Sequence, residues 1–365
     1  MVPRRKVIFG GSPARYPAGY SGGNPMTAPS SARLKLPRRA AVGATVAGLA
    51  ATFAAPTYAA EALWSREYST EKTRNGQKIA LAMYRKRLGA PRQGEPIRPV
   101  LFLVHGSSTS ALTSFDLVVP GRGEYSMMDV FARDGFDVWT MDHEGYGKSA
   151  VTDGNSDIAS GVEDLRAAMP VIARETGQTR CHFMGESSGA LRAGAFAVAE
   201  PDHVLRMVLT ALTYTGKGSP TLAKRAEQVE YYRTHNRRPR DRAMIESIFT
   251  RDKPGTTDPA VGAAVANMEL VHGDTVPTGT YLDMTAHLPV IDPTKIVAPV
   301  AVMRGEFDGI ATMEDLWDFY RQLPNGDKQF SVIAAAAHAL GTCRNRHAFW
   351  HAAQAFLTMP APPTA

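Results

Sequence analysis

Cysteine is almost missing from this 365-residue chain, which has only Cys181 and Cys343. A disulfide framework is thereby excluded, and the spacing of the pair fits no zinc pattern. Whether the two are bridged stays open, because a bridge depends on a geometry that spacing does not give; buried apolar thiols are the plainer reading. The chain also lacks a Gly-x-x-x-x-Gly-Lys loop and any Cys/His cluster of ligand spacing, so no metal or nucleotide cofactor is expected. Long apolar runs are missing too. The longest candidate, residues 40–55, is 16 residues rich in Ala and Gly, whereas a membrane-spanning helix needs about 20 strongly apolar ones.

Acidic residues are absent from residues 1–60, Glu61 being the first, while eight of the 41 basic residues lie there. The formal charge of +6 therefore divides unevenly, leaving 33 basic against 35 acidic residues in 61–365, a net −2. A polyanionic partner loses its support, and no nucleic acid is expected. The basic stretch, the apolar run and the small residues around Ala59-Ala60 read instead as a cleavable export leader over 1–60. Arg38-Arg39 before the run resembles a twin-arginine signal, although Ala41 and Val42 are smaller than the residues usual there. Met26 opens a more ordinary leader, so residues 1–25 are expected to be an upstream over-annotation. The processed chain is expected in the periplasm or outside the cell, with no stable membrane span; oligomeric state is unreadable.

Beyond the leader, 66–73 and 78–87 alternate around Asn75-Gly76, the signature of a tight hairpin. Short apolar runs follow at 100–104, 136–141, 181–184, 207–212, 300–303 and 330–333. Helix-length amphipathic segments lie between most of them, at 124–133, 161–175, 188–199, 313–322 and 346–357. This alternation predicts an α/β fold with a mainly parallel sheet covered on both faces. The rhythm breaks at 214–293, which is too long for a simple crossover and carries helical patterns at 221–234, 241–249 and 259–271. We expect a core from 61–213 and 294–365 with a helical cap inserted at 214–293. The Arg237–Arg242 charge cluster inside it reads as a solvated turn, with an anionic-substrate site as the alternative.

Gly185-Glu186-Ser187-Ser188-Gly189 follows a predicted strand and opens a predicted helix. This is the context of a nucleophile elbow, where small flanking residues let a serine occupy a strained strand-to-helix turn. A serine hydroxyl needs a base to take its proton and an acid to orient that base. Asp308 and His338, each just past a strand end, are the expected acid and base. Glu306 is a second candidate acid; His347 and His351 are expected to be surface or packing residues on a helix, and His105 to be structural. The oxyanion donors should be the Ser188 amide, directly after the nucleophile, and the Ser107 amide in the His105-Gly106-Ser107-Ser108 loop.

With Asp142-His143-Glu144-Gly145-Tyr146-Gly147-Lys148-Ser149 added, the chain resembles the α/β-hydrolase-fold serine hydrolases over roughly 65–358. The resemblance implies that fold with a helical cap, and a serine rather than an aspartate nucleophile removes the dehalogenase and epoxide hydrolase branches. It implies a hydrolase acting on a small-molecule ester through an acyl-enzyme, with Ser187, His338 and Asp308 as its triad. Amide, lactone or carbon-carbon bond hydrolysis on the same residues is the alternative. A non-catalytic binding protein on the same scaffold is the reading from another class; it predicts a broken triad, and none is visible.

Overall fold

The protein is described by a computed structural model over residues 62–360. The expected leader lies outside the described residues. Eight strands form one sheet in the order β1-β2-β4-β3-β5-β6-β9-β10. They are β1 Leu63–Arg74, β2 Gln77–Leu88, β3 Val100–Val104, β4 Asp137–Met141, β5 Cys181–Glu186, β6 Val204–Thr210, β9 Val300–Gly305 and β10 Lys328–Ile333. Only β2 pairs antiparallel with its neighbours, and every other ladder is parallel. This is the α/β-hydrolase fold.

The strands sit where apolar runs demand burial. All five residues of β3 and of β4 are buried, as expected of parallel strands covered on both faces. Alternate side chains serve two cores. Val100, Phe102 and Val104 join α3 (Ile158–Thr176), α4 (Ser188–Ala199) and α10 (Met313–Gln322). Leu101 and Leu103 join α1 (Ala111–Phe115), α2 (Met127–Arg133) and α11 (Arg346–Leu357). Local signals set the helix ends: Asp157 caps the Ser160 amide of α3, Thr312 caps the Asp315 amide of α10, and Gly177 closes α3 at φ 72°.

Between β6 and β9 the chain forms α5 (Pro220–Ala226), α6 (Val229–Thr234), α7 (Arg242–Ser247), α8 (Pro259–Glu269) and α9 (Gly279–Leu282). The single helix expected over 221–234 is two. The break lets Leu222 join the core under the sheet while Tyr232 enters a separate cluster with Tyr146, Val276 and Tyr281. The solvated turn expected at Arg237–Arg242 is also corrected. Arg237–Pro239 forms β7, paired with β8 (Thr275–Pro277), and Arg240 is buried with its Nη1 2.5 Å from Glu269 Oε1. Burial of that arginine is tolerable because Glu269 and the Ser108 and Gly273 carbonyls take up its donors. Among the described residues no helix is long and apolar enough to cross a membrane. Cys181 and Cys343 are free buried thiols belonging to different cores.

Candidate active site

Ser187 sits at the junction of β5 and α4 with φ 57° and ψ −124°. The strand hands it directly to the helix, and its amide is held by the Thr210 carbonyl of β6 at 2.9 Å. The turn closes only because Gly189 lacks a side chain. A Cβ there would lie 2.1 Å from the Val104 carbonyl oxygen of β3, far inside any allowed contact.

His338 lies past β10, with Nε2 2.9 Å from Ser187 Oγ and Nδ1 2.9 Å from Asp308 Oδ1. A carboxylate only accepts, so Nδ1 carries the ring proton and Nε2 is left to accept from the serine hydroxyl. The structure thus brings together the three residues named from sequence. Burial pushes the Asp308 carboxyl up, but the His338 ring and the amides of Ala311 and Ile310 outweigh it and hold it below its usual range. Arg304 braces the same turn by donating to the Ala311 and Asp308 carbonyls at 2.9 and 3.0 Å. Gly305 explains the Gly-x-x-Asp spacing: a Cβ would be 2.3 Å from the Ala337 carbonyl oxygen, so the Asp308 and His338 loops run backbone against backbone. Glu306 is exposed and accepts from the Ala335 amide, away from the imidazole. His347 and His351 are exposed on α11.

The loop after β3 faces the elbow. Ser107 Oγ is 2.8 Å from Ser188 Oγ and 2.7 Å from Thr280 Oγ1 of α9. Among the described residues neither the Ser107 nor the Ser188 N–H has an acceptor, so both are available to a developing oxyanion. Ser108, at φ 77°, hydrogen-bonds the Tyr281 hydroxyl. His105 is buried; its Nδ1 donates to the Gly106 carbonyl at 2.8 Å and its Nε2 accepts from the His143 amide at 3.1 Å. Asp142 ties down the neighbouring turn, accepting from the Ala111 and Lys148 amides and the Tyr84 hydroxyl at 2.7–2.9 Å.

Sequence reasoning missed Glu186. It precedes Ser187 and lines the same pocket. Burial pushes its carboxyl up to about 7, the His338 ring pulls it down, and Asp308 adds to the rise. The pocket encloses about 670 Å³, counting space open to solvent. The loop after β3, Ser187 and His338 line one part of it; Arg225, Ile248, Phe249, Arg251 and Val265, all from the segment between β6 and β9, line another. Among the described residues no group of three or more His, Cys, Asp or Glu side chains is placed to hold a metal ion.

Several solved structures share this architecture. An esterase from Thermogutta terrifontis superposes with TM-score 0.56 at 20% identity, over 80% of this chain and 98% of its own. The enol-lactonase of Burkholderia xenovorans gives 0.55 at 18%, over 79% and 100%. The 2-hydroxy-6-oxo-6-phenylhexa-2,4-dienoate hydrolase of Rhodococcus sp. strain RHA1 gives 0.60 at 16%, over 82% and 100%. At such identities the likeness concerns the fold alone. No curated protein matches the sequence. The family described as serine aminopeptidase, S33, matches residues 97–342, more than half of the chain. The chain belongs to that family of α/β-hydrolase-fold hydrolases.

Proposed function

We propose that the protein is a serine hydrolase that cleaves carboxylic esters through an acyl-enzyme. The observation that carries this reading is the continuous relay from Ser187 Oγ through His338 to Asp308, both contacts 2.9 Å, on an elbow with two unengaged amides beside it. His338 Nε2 takes the hydroxyl proton as Ser187 Oγ bonds to the acyl carbon. The carbonyl oxygen becomes an oxyanion at the Ser107 and Ser188 amides. Collapse breaks the ester C–O bond, and His338 returns the proton to the departing alcohol. Water, deprotonated by the same nitrogen, then attacks the acyl-enzyme and Ser187 leaves as the hydroxyl. Asp308 holds the tautomer and stabilises the imidazolium.

Segment 214–293 acts in this reading as the cap that shapes the pocket, and residues 1–60 as a leader that exports the chain. The family's description also brings aminopeptidase activity into question. A free N-terminal ammonium needs carboxylate acceptors, and the pocket offers Glu186 against two arginines, which favours an ester over a peptide amine. The test is labelling by a fluorophosphonate, with the adduct mapped to Ser187 by mass spectrometry, beside turnover of p-nitrophenyl butyrate. Ser187→Ala should abolish the adduct and lower turnover by about 10⁴- to 10⁶-fold. Residual activity of more than a few per cent would reject the assignment.

A further inference from the structure

Two arginines from the segment between β6 and β9 line the pocket that holds Ser187: Arg225 near the end of α5 and Arg251 beyond α7. Arg251 has a carboxylate nearby, its Nε 3.4 Å from Asp252 Oδ1. Arg225 has none: among the described residues its guanidinium makes no hydrogen bond and no ion pair, and it lies 5.1 Å from the Tyr281 ring centre. Arg238 stands over the same ring at 4.8 Å, again without a carboxylate among the described residues. Three guanidinium groups therefore share one tyrosine ring and one aspartate.

Burial pulls the Arg225 guanidinium down to about 10; Tyr281 opposes the fall, and the Arg251 and Arg238 charges add to it. It is still a cation at neutral pH. Arg225 is half-buried, and a partly desolvated cation without a counter-ion is unfavourable unless something compensates; a cation–π contact is a partial compensation. The remaining lining offers little more. Its one carboxyl, Glu186, answers to His338 and Asp308 rather than to these arginines. What would satisfy Arg225 is an anion that arrives with the ligand, and a planar guanidinium suits a carboxylate in particular.

We propose that Arg225, supported by Arg251, binds a carboxylate that the substrate carries remote from its scissile ester, so that the preferred substrates are monoesters of dicarboxylic acids. This rests on the ester-hydrolase reading above and narrows it to a substrate class. Tyr281, which touches both Arg225 and the Ser108 hydroxyl, then connects the anion subsite to the oxyanion loop. The released acid is itself a dicarboxylate, so it should inhibit as a product.

The test compares p-nitrophenyl monoesters of the linear dicarboxylic acids, succinic to suberic, with the same esters methylated at the far carboxyl. The intact protein should favour the free carboxylate in kcat/KM by about 10- to 100-fold for at least one chain length. Arg225→Met should bring that ratio close to one, and Arg225→Lys should keep part of it. Arg233→Met, which removes an equal charge from the exposed face of α6, should leave the ratio as it was. A ratio at or below one for every chain length, or one that survives Arg225→Met, overturns the proposal. If neither series is turned over, the ester reading fails separately. Calorimetry with glutarate and adipate on Ser187→Ala then decides the subsite: binding that disappears in Ser187→Ala/Arg225→Met supports it, and no binding to either acid overturns it.

Discussion

Ser187 adopts a backbone conformation that costs a non-glycine residue on the order of 1–3 kcal/mol, and the surrounding ladder and helix impose it. Glu186, one residue earlier, carries a second burden with a measurable sign. Its folded carboxyl keeps a proton up to about 7, whereas an unperturbed glutamate releases it near 4.5. Between those values the folded state binds more protons than the unfolded one, so this group makes stability fall as pH rises through the window. Asp308 has the opposite sign: held below 3.8, its contribution is present above that value and is lost as pH falls through the folded one. We expect Glu186→Gln to stabilise the protein relative to wild type at pH 8 more than at pH 4.5. The check is the difference between the two urea midpoints at each pH; a difference that does not grow with pH would count against a protonated Glu186.

Helices and strands meet at Gly189, where α4 touches the β3 backbone. Gly189→Ala puts a methyl group into the Val104 and His105 carbonyls. It should cost about 1–3 kcal/mol, as overpacked sites do, and should reduce turnover together with the urea midpoint. Full activity in the alanine variant would mean that the elbow can shift without consequence. At this scale the sequence was readable wherever one local rule sufficed. All-apolar runs marked the central strands, Asn75-Gly76 marked the hairpin, whose turn has φ 51° and 78°, and α4, α10 and α11 have the bounds their periodicity suggested. Gly-x-Ser-x-Gly and the strand ends drew attention to Ser187, Asp308 and His338 for the same reason. Between β6 and β9 local rules gave less. Arg240 meets Glu269 across 29 residues, β7 has only three residues, and the split between α5 and α6 reflects two different burial partners. Glu186 carried no signal, because its perturbation comes from burial that only the folded chain creates.

At the scale of the whole molecule, charge is the organising quantity. The basic excess lies in residues 1–60, outside the described domain, and 61–365 is nearly balanced. If Arg38-Arg39 is an export signal of the twin-arginine kind, changing both to Lys should retain the unprocessed chain in the cytoplasm. Cell fractionation with an immunoblot would read this out, and unchanged export of the Lys-Lys form would discard the signal. The two thiols bear on the same question from another side. Cys181 and Cys343 sit unlinked in cores on opposite faces of the sheet, so no step of folding waits for an oxidant. The chain can reach its final shape in a reducing cell interior, and a thiol reductant has no bond to remove from it afterwards.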